Sequence, residues 1–113
     1  MLQGNKFETV TVKVGVLSDA GDFRKAKRFK GKHLGGVRTY EGARSRDDRG
    51  VDYDVYLRPD GTYLVHIIRW SRWQGETDIY ELVSVSTAKD LYNQFPAAAN
   101  AANVEYVEDL DAE

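Results

Sequence analysis

Residues 51 to 58 alternate between Val51, Tyr53, Val55 and Leu57 on one side and Asp52, Asp54, Tyr56 and Arg58 on the other, the period of a half-buried strand. Pro59-Asp60-Gly61 follows at once: proline presets the first turn position, Asp tolerates the second, and Gly accepts the left-handed backbone that closes a three-residue hairpin loop. This pair of signals constrains the chain most, because a turn of fixed length fixes strand register. Paired residues then sum to 120, so Val55 lies opposite Val65, Tyr53 opposite Ile67 and Asp54 opposite His66.

The second strand of the hairpin runs from Thr62 to about Trp73, and a turn at Gln74-Gly75-Glu76 leads to a third over Thr77 to Ser86. A pairing sum of 150 sets Val65 opposite Val85, Ile67 opposite Val83, Arg69 opposite Glu81, Trp70 opposite Tyr80 and His66 opposite Ser84. One face of this meander, 51–86, is then built from valines and isoleucine and is expected to carry a helix. The other shows Tyr56, Leu64, Ile68, Leu82, Trp70 and Tyr80 around a polar row of Asp54, His66 and Ser84. That face is too apolar for plain solvent exposure, so strand one, the basic segment or a second subunit is expected to cover part of it.

Upstream, Val10, Val12, Val14 and Val16 recur at every second position of residues 6–17 and predict strand one. Residues 18–36, with four glycines and many bases, read as a basic loop containing one helical turn near Asp22 to Phe29, and Val37 to Ala43 as a weaker strand. Downstream, Thr87-Ala88-Lys89-Asp90 has capping-box spacing and opens a helix from residue 88 through Leu91, Tyr92 and Phe95. Pro96 ends or restarts that helix, and the acidic tail 104–113 is expected to fray. The expected class is α+β: an antiparallel sheet of four or five strands with a C-terminal helix packed on one face.

A chain of 113 residues supports one domain and one modest core, here 1–113. It has no cysteine, so disulfides, thiolate zinc sites and cysteine nucleophiles are excluded. Its start has no signal-peptide pattern and no apolar run reaches a membrane span, so a cytoplasmic protein without membrane contact is expected.

Charge is distributed unevenly. Arg24 to Arg49 holds ten Lys/Arg against three acids, a balance of +7, whereas Glu76 to Glu113 holds one base against nine acids, a balance of −8. Dense cations with an interleaved Phe29 suit phosphate contacts and base stacking, so Arg24, Lys25, Lys27, Arg28, Lys30, Lys32, Arg38, Arg44 and Arg46 are the candidate nucleic-acid-binding residues. With a pI near 5.7, such a patch works only if it is spatially segregated from the acids. The bland alternative is a solvated loop whose charge balances the acidic tail.

Trp70, Arg72, Trp73 and Tyr80 form a second candidate set, since tryptophan and arginine together mark interface hot spots; Trp70 is expected in the core and Trp73 at the turn. Asp54, His66 and Ser84 have the residue types of a nucleophilic triad, but a strand interior offers neither a nucleophile elbow nor an oxyanion hole. No catalytic residue is therefore assigned. His33 and His66 lack metal-ligand spacing and no phosphate-loop motif occurs, so neither metal nor cofactor is expected. The leading expectation is a small non-enzymatic binding module that contacts nucleic acid through the basic segment 24–49. The alternatives are a protein-interaction module, such as an antitoxin, inhibitor, adaptor or homodimer, using the Trp/Tyr face, and a small hydrolase or nuclease using His66.

Overall fold

In the computed structural model, which describes residues 7–16, 25–41, 49–72, 77–107 and 110–111, the Pro59-Asp60-Gly61 turn closes as its residues dictate. Arg58 N donates to Thr62 O at 2.8 Å, and Gly61 carries the left-handed φ of 90°. Strands β4 (Arg49–Leu57) and β5 (Tyr63–Ser71) therefore pair as expected, with Val55 opposite Val65, Tyr53 opposite Ile67 and Asp54 opposite His66.

The next pairing departs from the expected register. Strand β6 (Ile79–Val85) sets Val65 opposite Val83, Ile67 opposite Glu81, Arg69 opposite Ile79, Ile68 opposite Tyr80 and His66 opposite Leu82, so pairs sum to 148 rather than 150. A slip of two residues keeps every side chain on its face, because the strand period is two, but it moves neighbours along the row. Ser84 thus lies opposite Leu64 rather than His66, and Tyr80 opposite Ile68 rather than Trp70.

Strand one is present as β1 (Glu8–Lys13) and β2 (Gly15–Val16), separated only by Val14. The largest correction concerns the basic segment. Residues 26–36, read from sequence as loop and helical turn, belong to β3 (Ala26–Glu41), a strand of 16 residues that also absorbs the weaker strand expected from Val37. The rest of the expected loop, 18–24, lies outside the described residues.

All six strands form one sheet in the order β1-β3-β4-β5-β6-β2. Because β1 and β2 are consecutive in the chain yet sit at opposite edges, the sheet must curl until its edges meet at the N-terminal segment. Gly15, with φ of 120°, is the residue at which that segment leaves β3 for β6. A left-handed backbone there costs glycine little.

Two apolar clusters result, one on each side of the sheet. Val51, Val55, Val65, Ile67 and Val85 face α1 (Ala88–Gln94) and α2 (Pro96–Ala101), whose Leu91, Ala98 and Ala99 are fully buried. The Thr87 side chain caps α1 by accepting from Asp90 N at 3.1 Å, and proline starts α2. Val104 docks into the same cluster, its carbonyl accepting from the Tyr92 hydroxyl at 2.7 Å, so the first residue of the expected frayed tail is packed. On the concave side, Val12 and Phe29 close over Leu64. Strand one and the basic segment therefore supply the cover that the apolar second face requires. Among the described residues, no helix is long and apolar enough to cross a membrane.

Val65 is fully buried between sheet and helices, so Val65→Ala should cost about 1–3 kcal/mol through lost methyl burial. Chemical denaturation reads this directly, and a loss under about 0.5 kcal/mol would contradict the packing.

Candidate nucleic-acid interface

The distribution of the basic residues follows from one irregularity in β3. Its pairing with β4 shifts between His33 and Gly35, which reverses the parity of the faces. Before the bulge, Phe29 and His33 point to the concave side; after it, Arg38 and Tyr40 do. Cations only a few residues apart therefore serve two different environments.

Residues 26–31 of β3 extend past the end of β4, where Lys32 opposite Leu57 is the last pair, and among the described strands they pair with β1 alone. This two-stranded ribbon carries Lys13, Lys27, Arg28 and Lys30, all exposed, with Lys32 at its base and Lys25 at its end. Thr9 and Thr11 lie opposite Lys30 and Arg28, and Arg28 Nε donates to Thr11 Oγ1 at 3.4 Å. Among the described residues of the ribbon, Glu8 is the one carboxylate.

Arg38 has a different occupation. Its guanidinium makes two bonds to Asp52, Nε to Oδ1 at 2.7 Å and Nη2 to Oδ2 at 2.9 Å, which hold it more firmly protonated than an ordinary arginine. It also stacks 4.7 Å from the centre of the Trp70 ring. Such a committed side chain is poorly placed to meet phosphate. Arg24, Arg44 and Arg46 lie outside the described residues.

The aromatic set is equally divided. Trp70 is 9% exposed, as its place beside Leu64 and Ile68 predicts, and is enclosed by Arg38, by Tyr40 in an edge contact at 5.9 Å and by Arg72 at 5.2 Å. Its Nε1 donates to Asp52 Oδ1 at 3.0 Å. Tyr80 is half-buried against His66, with ring centres 6.2 Å apart, and Trp73 lies outside the described residues. Among the described residues of this cluster, Tyr40 offers a largely exposed ring.

The polar row does not form a relay. Asp54 and His66 are opposite in register, but the Asp54 carboxylate pairs with His33 Nε2 at 2.9 Å, while His66 Nε2 meets the carbonyl of Lys13 at 2.8 Å. His66 is buried and joins β5 to strand one across the concave side. Ser84, two positions along β6 from the residue opposite His66, is the third member of no triad. Beside this row, burial and the charge of Asp54 both push the Tyr56 hydroxyl pKa upward.

Arg58 belongs to none of the sets that the sequence marks. It stands at the end of β4, where the ribbon overhangs, and lines a cleft of about 260 Å³ with Lys27, Arg28, Phe29, Leu64, Leu82 and Ser84. In sequence it reads only as the stem of the hairpin, so no local signal marks it.

No family model, no curated protein and no solved structure matches this chain.

Proposed function

We propose that this protein is a non-enzymatic module that binds nucleic acid through the β1–β3 ribbon. The observation that carries this reading is charge segregation: the cations Lys13, Lys25, Lys27, Arg28, Lys30 and Lys32 share one projecting ribbon with a single described carboxylate. Asp52 and Asp54, the acids on the adjoining sheet face, are bound to Arg38 and His33. The low overall pI therefore does not count against a local polyanion contact, since field strength at the ribbon depends on nearby charge. A twisted two-stranded ribbon also has the width to enter a major groove or follow a single strand.

Binding of this kind is driven by counterion release and is blind to sequence at the phosphates. Anisotropy titrations against generic duplex DNA and RNA, repeated over a range of salt, test it. Engagement of four to six ribbon cations predicts a log–log slope of about −3.5 to −5.5 on duplex DNA. Absence of binding to either nucleic acid at physiological salt would overturn the proposal.

A further inference from the structure

We infer that the cleft beneath the ribbon overhang is a phosphomonoester site, which shares Lys27 and Arg28 with the ribbon and adds Arg58 to them. The cleft exists because β4 stops at Leu57 while β3 continues over it toward β1, leaving a space of about 260 Å³ against β5 and β6. Three cationic residues, Lys27, Arg28 and Arg58, line it, and no carboxylate does among the described residues. The Nε of Arg58 is buried with no hydrogen-bond partner, so no protein bond at that atom answers the charge of a guanidinium that lines the cleft. The neighbouring Asp60 attracts Arg58 through space but forms no ion pair with it. Its Oδ1 is turned back to Thr62, accepting from the backbone N at 3.0 Å and from Oγ1 at 2.6 Å.

The donor set selects the ligand class. Two guanidiniums and an ammonium match a group with several oxygens and close to two negative charges, which a phosphomonoester carries at neutral pH and an internal phosphodiester does not. Ser84 adds a hydroxyl. Phe29, Leu64 and Leu82 make the remaining wall apolar, so the site suits a phosphate attached to a carbon body rather than a bare inorganic ion. Either a free nucleoside monophosphate or the phosphorylated end of a nucleic-acid strand presents that chemistry.

Titration of isotope-labelled protein with adenosine monophosphate, with adenosine as control, tests the site. The monophosphate should shift the amides around Lys27, Arg58 and Ser84, and adenosine should not. Arg58→Gln should weaken monophosphate binding by about tenfold or more, the usual consequence of losing a charged hydrogen bond. Lys27→Gln, at an exposed strand position, should weaken it in the same direction and guards against a folding defect in the Arg58 variant.

A parallel arm compares an oligonucleotide bearing a terminal phosphate with its hydroxyl counterpart. Preference for the phosphorylated strand, abolished by Arg58→Gln, assigns the site to strand ends; monophosphate binding without that preference assigns it to free nucleotides. Equal shifts from adenosine and its monophosphate, or monophosphate binding indifferent to Arg58, would overturn the inference. Retained binding of the hydroxyl strand in that case would leave the ribbon reading standing.

Discussion

Trp70→Ala should lower the stability of the fold by about 3–5 kcal/mol, the range for deleting a buried tryptophan side chain. Several losses coincide at this position. The ring is 9% exposed and holds Tyr40 at its edge, while the guanidiniums of Arg38 and Arg72 lie 4.7 and 5.2 Å from its centre. Its indole N–H also supplies one of the bonds to Asp52, a half-buried carboxylate. Trp70→Phe separates these contributions. It keeps most of the ring volume and loses the N–H, yet Asp52 retains two bonds to Arg38, so its cost should be nearer 1 kcal/mol. Denaturant unfolding of both variants reads the difference. A loss below about 1 kcal/mol for the alanine variant would mean that the ring is a solvent-exposed surface group and would favour the interaction reading of the Trp/Tyr face.

The same cluster shows what a sequence can and cannot display. The alternation over residues 51–57 and 63–71 was legible because each strand is half-buried, and the short loop between them left one register open. For β6 the parity was legible and the exact offset was not, because the length of the connection between Arg72 and Ile79 is not encoded in any one turn residue. The consequence was small for packing, since the valines kept their face, and large for the polar row, since it separated Ser84 from His66.

The misreading of β3 has a different origin. Its glycines look like loop punctuation, but they answer to close approach: a side chain at Gly31 would meet the Phe29 ring, one at Gly35 the Ala101 carbonyl of α2, and one at Gly36 the Asp54 carboxylate. The bulge at His33 and Gly35 then breaks the two-residue period midway, so no single alternation spans the strand. Counting charges found the basic region; it could not tell Arg38, committed to Asp52, from Lys30, exposed on the ribbon. Nor could it find Arg58, which reaches the ribbon only because β3 overruns the end of β4.

That distinction sets the most demanding expectation for function. Replacing Lys27, Arg28 and Lys30 together by glutamine should weaken binding to every duplex sequence alike, because phosphate contacts position a protein without reading bases. If each residue makes one phosphate contact, the salt slope on duplex DNA should fall by up to about 2.7, and affinity at physiological salt by about a hundredfold. Stability should change little, since the three side chains are exposed and an isolated hydrogen bond from Arg28 to Thr11 contributes modestly. Arg38→Gln provides the contrast: its guanidinium is held by Asp52 and the Trp70 ring, so its loss should cost stability and leave the salt slope near wild type. Equal slopes for wild type and the triple variant would exclude the ribbon as the contact surface. An unchanged slope in the triple variant with a reduced one in Arg38→Gln would move the interface to the concave face, beyond the bulge that divides β3.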